Sequence, residues 1–163
     1  MRLQVREALR ARYRYRCGCC GVEESDVGSE LTVDHFQPRA HRGSDDFDNL
    51  VYCCNACNQF KGDYWQPDAV EQILHPIRDD LAEHIAELRN GRLQALTDTA
   101  RFHVDFLHLN RPALIANRRR KTRDMQTQAD QLASLQVIRQ MTREIERLKE
   151  QMRRSSRRED DSD

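Results

Sequence analysis

The sequence predicts an α+β fold, in which a small two-stranded unit is followed by a hairpin and helix extension and then by a long helix. One observation is a pair of Cys-x-x-Cys motifs that bracket the segment Glu30 to Phe36. This segment alternates apolar and polar residues and is rich in β-branched side chains, which is typical of a strand. The other is the stretch from Ala113 to about Arg154, which lacks Gly and Pro and is rich in helix-forming residues.

The two Cys-x-x-Cys motifs predict a single structural metal ion. Each such turn places two thiolates at a spacing suited to tetrahedral zinc, and two turns complete a closed four-sulfur site. Disulfides are the alternative, but the charged N-terminal segment has no apolar region typical of secretion, and such motifs in a reducing compartment favour zinc. The predicted ligands are Cys17, Cys20, Cys54 and Cys57. The two remaining cysteines, Cys19 and Cys53, are interpreted as small buried apolar residues or reduced thiols.

The segment between the motifs is predicted to fold into a compact unit with the second motif. The strand at Glu30 to Phe36 is followed by a turn cluster, Gly43 to Asp46, and by a short apolar run, Leu50 to Tyr52. A helix is expected from Asn58 to Tyr64, directly after the second motif. Strand, loop, strand and helix would therefore surround one metal ion.

Four sequence patterns in this order resemble those of the HNH endonucleases, the ββα-metal nucleases. The patterns are Cys-x-x-Cys, Asp-His-x-x-Pro, Asp-Asn-Leu and Cys-x-x-Cys-Asn-x-x-Lys-Gly, and residues 10 to 66 carry the resemblance. Asn58 occupies the place of the third letter, which is often His, as is common in the zinc-knuckle branch of the family. The resemblance implies a ββα-metal fold and hydrolysis of DNA phosphodiester bonds that leaves a 5′ phosphate and a 3′ hydroxyl.

The resemblance also implies roles for individual polar residues. His35 is expected to be the general base that takes a proton from the attacking water. Asp34 and Asn58 are expected to hold a catalytic Mg²⁺ or Mn²⁺ through oxygen atoms. Asn49 is expected to tie the loop across the hairpin and so to orient His35. Lys61 is interpreted either as a phosphate contact or as a solvated surface lysine.

The other histidines are assigned no chemistry. His41 is interpreted as an exposed loop residue, and four more lie outside the motif without ligand-like spacing: His75, His84, His103 and His108.

Charge is distributed unevenly along a chain whose net charge is zero. Residues 1–16 carry six Arg against one Glu, and residues 111–123 carry five Arg and one Lys with no acid. These clusters either contact phosphates or form solvated helix faces, and both interpretations stay open. No run is apolar enough to span a membrane and no signal peptide is recognisable, so a cytoplasmic protein is expected. The resemblance to HNH endonucleases implies a bacterial or phage-like source.

Four segments are expected along the chain: residues 1–66 as the nuclease domain, 67–112 as a hairpin and helix extension, 113–154 as a long helix, and 155–163 as a disordered charged tail. Asn90-Gly91 predicts the hairpin, although Leu81, Ile85 and Leu88 also fit a helical spacing. A helix over Thr99 to Leu109, capped by Thr97 or Asp98, completes the extension.

The long helix carries apolar residues at alternating spacings of three and four, which is typical of about two heptads of coiled coil. They are Ile138, Met141, Ile145, Leu148 and Met152. A weak homodimer through this helix and packing of the helix on its own domain are both open.

Three functions are compared: a metal-dependent DNA endonuclease, a zinc-stabilised nucleic-acid-binding module without cleavage activity, and a coiled-coil adaptor with a zinc scaffold. The combination of Asp34, His35 and Asn58 favours the endonuclease, because a binding module does not need all three residues.

Overall fold

The computed structural model describes residues 3–67 and 70–160 of the 163-residue chain. The chain forms two compact units, which divide between Arg119 and Arg120. The helices are α1 (Leu3–Arg12), α2 (Glu24–Val27), α3 (Asn55–Lys61), α4 (Leu81–His84), α5 (Asp98–Phe106) and α6 (Pro112–Asp160). The strands are β1 (Thr32–His35), β2 (Leu50–Cys53), β3 (Ile85–Glu87) and β4 (Leu93–Ala95).

The predicted α+β class is confirmed, with β1, β2 and α3 forming a ββα unit. The two strands are antiparallel, and Thr32 lies opposite Cys53 while His35 lies opposite Leu50. Helix α3 begins at Asn55, three residues earlier than the expected Asn58, because the chain is extended at Cys54 and enters the helix directly after it. The second cysteine motif is therefore part of the helix start and not a separate turn before it.

Helix α1 packs against β2, and its basic residues form ion pairs with the rest of the unit. Four of the five arginines in the described residues 3–16 pair with carboxylates outside the helix, at N···O distances of 2.7 to 3.0 Å. The pairs are Arg6–Glu30, Arg10–Glu24, Arg12–Asp48 and Arg16–Glu23. This basic cluster thus contributes contacts that attach the N-terminal segment to the unit, in addition to its positive charge.

Tyr52 is fully buried at the centre of the unit and links three elements. Its hydroxyl accepts a hydrogen bond from the Leu31 amide at 2.8 Å and donates one to the Glu24 carboxylate. The Arg10 guanidinium pairs with the same carboxylate, and this contact holds the pKa of Glu24 below its usual range. The polar end of a buried tyrosine is therefore satisfied.

The hairpin predicted at Asn90-Gly91 is confirmed. Strands β3 and β4 are antiparallel, and Gly91 occupies the left-handed region at φ 78°, which favours glycine. Of the segment whose spacing also fitted a helix, Leu81–His84 is helical, and the strand β3 begins at Ile85. Thr97 caps α5 by accepting a hydrogen bond from the Ala100 amide at 3.2 Å. Helix α5 ends at Phe106, earlier than the expected Leu109.

The extension shares one hydrophobic core with the ββα unit. Leu107 and Leu109, which follow α5, are buried in the same cluster as Leu9 and Tyr52. Pro112 begins α6, where its missing amide hydrogen has no cost. In the first turns of α6 the buried Arg118 donates hydrogen bonds to the carbonyls of Gly91 and Leu109, at 3.0 and 2.7 Å.

Helix α6 is continuous from Pro112 to Asp160, so residues 155–160 are helical where we expected a disordered tail. The stretch contains no Gly or Pro after Pro112, and Arg and Glu are good helix formers. Residues 161–163 of that tail lie outside the described part of the chain. Within residues 3–67 and 70–160, no helix combines the length and apolar character needed to cross a bilayer.

The apolar residues of the expected coiled coil are exposed in this single chain. Ile138, Met141, Ile145 and Leu148 are each about half exposed or more, and the side chain of Met152 lies outside the described part. The weak homodimer stays a prediction.

Acidification from pH 6.5 to 4 is expected to destabilise the fold through His103. This residue is 2% exposed, and burial lowers its pKa from 6.5 to about 4. In this window the unfolded chain takes up a proton that the folded chain does not, so the free energy of unfolding falls as the pH falls. The shift corresponds to roughly 3 kcal/mol in total.

Urea unfolding between pH 4 and 7.5 measures this effect. Replacement of His103 by asparagine retains an acceptor for the Leu74 amide, which donates to Nδ1 at 3.0 Å, but removes the titrating group. The variant should be less dependent on pH in this window. The exposed His41 provides the matched control, since His41→Asn should retain the wild-type dependence. Equal pH dependence of the wild type and His103→Asn would contradict the assignment.

Candidate active site and metal centre

The four predicted zinc ligands converge at one point. The sulfur atoms of Cys17, Cys20, Cys54 and Cys57 all lie within 4.8 Å of one another. The Sγ atoms of Cys20 and Cys54 are 3.8 Å apart, which is roughly the edge of a tetrahedron with Zn–S bonds near 2.3 Å. The six cysteines are all free, so the disulfide alternative is not realised. Donor type, number and spacing fit a structural zinc ion.

Local backbone geometry brings the two cysteine motifs together. In the first motif, the Cys17 amide donates to the Val22 carbonyl and the Gly21 amide donates to the Cys17 carbonyl, each at 2.8 Å. Gly21 has a φ of 73°, a conformation that side chains other than glycine rarely adopt. The Gly18 amide then donates to the Tyr52 carbonyl at 2.8 Å, which fixes this turn to β2 beside the second motif.

The surroundings of the sulfur cluster favour a thiolate at Cys17. Hydrogen bonds from neighbouring thiols, Cys19 first, lower the pKa of Cys17 well below its ordinary value. The Arg111 guanidinium places Nη2 3.9 Å from the sulfurs of both Cys54 and Cys57. This positive charge would offset part of the net negative charge of a zinc ion bound by four thiolates.

The remaining two cysteines lie outside the group of four. Cys53 is 2% exposed in β2, and burial raises the pKa of its thiol. Both observations agree with the prediction that Cys53 is a small buried apolar residue. Cys19 is half-buried beside Cys17.

Asp34 forms an ion pair with Lys61 that joins β1 to α3. Lys61 Nζ lies 2.9 Å from Asp34 Oδ2 and also donates to the His35 carbonyl at 2.8 Å. Only 5% of the lysine side chain is exposed, so the expected solvated lysine is wrong. Lys61 makes a third hydrogen bond to the Gly62 carbonyl, so the three donors of its ammonium are engaged within the fold, and the phosphate contact stays a prediction.

Asn49 closes the loop between β1 and β2. Its side chain accepts a hydrogen bond from the Gln37 amide at 2.9 Å and donates to the carbonyls of Gln37 and Ser44 at 3.0 and 2.7 Å. The loop is so tight that a Cβ at Gly43 would lie 1.8 Å from the Gln37 carbonyl oxygen. The buried Asn49 thus holds both ends of the loop at fixed positions.

The imidazole ring of His35 contacts a carboxylate from this loop. Its Nε2 lies 2.7 Å from Asp45 Oδ1, and the His35 side chain is 23% exposed. Arg39 donates to both oxygens of the same carboxylate, at 2.6 and 2.7 Å. Arg39 first, and then His35, holds the pKa of Asp45 below its usual range, so this carboxyl group is ionised near neutral pH.

Asn58 is half-buried on α3, one helical turn before Lys61. Residues three apart are neighbours on a helix surface. Because Lys61 reaches Asp34 and the His35 carbonyl, Asn58 belongs to the part of α3 that neighbours the end of β1.

Three contacts of the site were not predicted from the sequence, namely those of Asp45, Lys61 and Arg111. Asp45 belongs to a turn cluster in which nothing distinguishes it from Asp46, and Arg111 lies far along the chain from the cysteines. His41 is exposed in the loop, as predicted.

Comparison with known proteins gives one family match. A family model described as HNH endonuclease matches residues 17–64, which include both cysteine motifs and the whole ββα unit. No curated protein matches the chain. Together with the sulfur cluster, the match indicates a nuclease-type or metal-binding module that acts on nucleic acids.

Proposed function

We propose that this chain hydrolyses DNA phosphodiester bonds with the help of Mg²⁺ or Mn²⁺, because residues 17–64 match the family model described as HNH endonuclease. The observation that carries the proposal is the position of Asp34 and His35 at the end of β1, against the helix that contains Asn58. A partly exposed imidazole and a carboxylate are thus consecutive residues at the end of the strand that contacts α3.

His35 is the general base in this proposal. Its imidazole is 23% exposed, so a water molecule can approach it, and Nε2 is already engaged by Asp45. The ring is therefore held while it takes the proton of the water that attacks the phosphate.

Asp34 and Asn58 hold the divalent cation. Lys61 engages Oδ2 of Asp34, which leaves Oδ1 to bind a cation through one oxygen, and Asn58 supplies an amide oxygen. Few protein ligands of this hard oxygen type suit Mg²⁺ or Mn²⁺, which retain water and phosphate in their other positions. Such a cation, when bound, stabilises negative charge on the phosphate and on the leaving oxygen.

Cleavage of supercoiled plasmid by zinc-loaded protein, with and without added Mg²⁺ or Mn²⁺, tests the proposal. Asn58→Ala should raise the Mg²⁺ concentration needed for half-maximal cleavage at least about tenfold, since it removes a cation ligand. Asn55→Ala is the matched control, because Asn55 is an exposed amide on the same helix. Cleavage without a divalent cation, or equal Mg²⁺ dependence of the two variants, would contradict the assignment of the ligands.

The Asp34–Lys61 ion pair favours one alternative, a zinc-stabilised module that binds nucleic acid without cutting it. A carboxylate that is already paired with a buried ammonium does not need a metal ion to be stable in the fold. DNA binding without cleavage under any of these cation conditions would support this alternative.

A further inference from the structure

We propose that Asp45 is a positioning residue, which holds His35 as the tautomer with its proton on Nε2 and leaves Nδ1 as the atom that accepts the proton from water. The part that concerns catalysis rests on the proposed endonuclease function. The part that concerns the tautomer rests on geometry alone.

The geometry selects the tautomer because an ionised carboxylate only accepts hydrogen bonds. Asp45 Oδ1 lies 2.7 Å from His35 Nε2, so this contact is a hydrogen bond only when Nε2 carries the proton. In the neutral imidazole the other nitrogen then has a free lone pair. Nδ1 is consequently the basic atom of the ring.

Arg39 keeps Asp45 in the accepting state. Its guanidinium donates to Oδ1 through Nε at 3.1 Å and Nη2 at 2.6 Å, and to Oδ2 through Nη2 at 2.7 Å. Both oxygens are therefore engaged by donors on a cation, which opposes protonation of the carboxyl group.

The loop backbone provides the rigidity that an exposed ion pair lacks. The Asp45 and Arg39 side chains are each 68% exposed, and ion pairs of this kind contribute little order by themselves. However, the Asn49 side chain donates to the carbonyl of Ser44, the residue before Asp45. It also accepts a hydrogen bond from the Gln37 amide and donates one to the Gln37 carbonyl. Asn49 thus orients His35 indirectly, by fixing the loop that presents the Asp45 carboxylate.

Ring nitrogen shifts measured by ¹⁵N NMR on the full-length, zinc-loaded protein without added Mg²⁺ test the tautomer directly. At a pH where histidines are neutral, His35 should show a protonated Nε2 and an unprotonated Nδ1, with the signal assigned by its loss in His35→Ala. Asp45→Ala should give a mixture of both tautomers. Asp46→Ala should match the wild type, because Asp46 is the neighbouring exposed carboxylate and contacts Ser44 instead. A proton on Nδ1 in the wild type, or no change in Asp45→Ala, would overturn the proposal.

Cleavage kinetics test the consequence for the reaction. Asp45→Ala should lower kcat by roughly tenfold to a hundredfold with little change in KM, as for other groups that orient a reacting histidine. Asp45→Glu should restore part of the loss, and Asp46→Ala should have no effect. Equal losses of kcat in Asp45→Ala and Asp46→Ala would overturn the catalytic part. If the wild type cuts no DNA, the endonuclease function fails, whereas the NMR result still decides the tautomer.

Discussion

Replacement of His35 by alanine is expected to lower the rate of DNA cleavage by about 10² to 10⁴-fold, the usual contribution of a positioned general base. Zinc content and the unfolding midpoint should change little. The ring of His35 lies outside the hydrophobic core and bonds to an exposed loop residue, Asp45. Its backbone carbonyl, which accepts a hydrogen bond from Lys61, is retained in the variant.

Single-turnover cleavage, DNA binding by fluorescence anisotropy and bound zinc should be measured on the same preparations of this variant. His41→Ala is the matched control, since His41 is exposed in the same loop and its contact with Gln37 uses the backbone carbonyl. The control should cleave at the wild-type rate. Substantial Mg²⁺-dependent cleavage by His35→Ala would remove the general-base assignment.

Asp34 is a less direct test of catalysis than His35. In Asp34→Ala the buried ammonium of Lys61 would lose its partner, and an uncompensated buried charge destabilises a fold by several kcal/mol. Loss of activity in that variant would combine loss of a cation ligand with loss of structure. Asp34→Asn retains an acceptor for Lys61 and therefore separates the two effects better.

The parts of the fold that depend on local spacing could be predicted from the sequence. Motif spacing identified the four cysteines that converge, alternation identified β1, and Asn90-Gly91 identified the hairpin. Each of these signals depends on residues close together in the chain. The limits of α3 were less well predicted, because the helix begins within the second cysteine motif.

The contacts that could not be predicted are those that depend on packing between distant elements. Lys61 is buried only because α3 lies against β1, and the same sequence on an exposed helix would leave it in solvent. Arg111 reaches the sulfur cluster from the position just before α6. Asp45 contacts His35 and Asp46 contacts Ser44, because the loop that Asn49 holds presents the two carboxylates in different directions.

Removal of zinc is expected to unfold the ββα unit and not merely to inactivate it. Cys17, Cys54 and Cys57 are buried members of the hydrophobic core, so a cluster of unliganded sulfurs would lie where the two motifs meet. Apparent binding energies of structural zinc are about 10 kcal/mol or more, which is comparable to the whole stability of a typical domain. The segments that carry the two motifs would also lose the metal link that joins them.

Thermal unfolding followed by circular dichroism, with and without a zinc chelator and always in the presence of a reductant, measures this effect. The cooperative transition should disappear on chelation and return when zinc is added, and Cys57→Ser should resemble the chelated wild type. Cys19→Ser provides the control, since Cys19 lies outside the group of four, and this variant should retain one zinc ion per chain. The reductant excludes disulfides as the source of the stability. A transition that persists unchanged after zinc has been removed would mean that the shared core of Leu9, Tyr52, Leu107 and Leu109 is sufficient to hold the unit together.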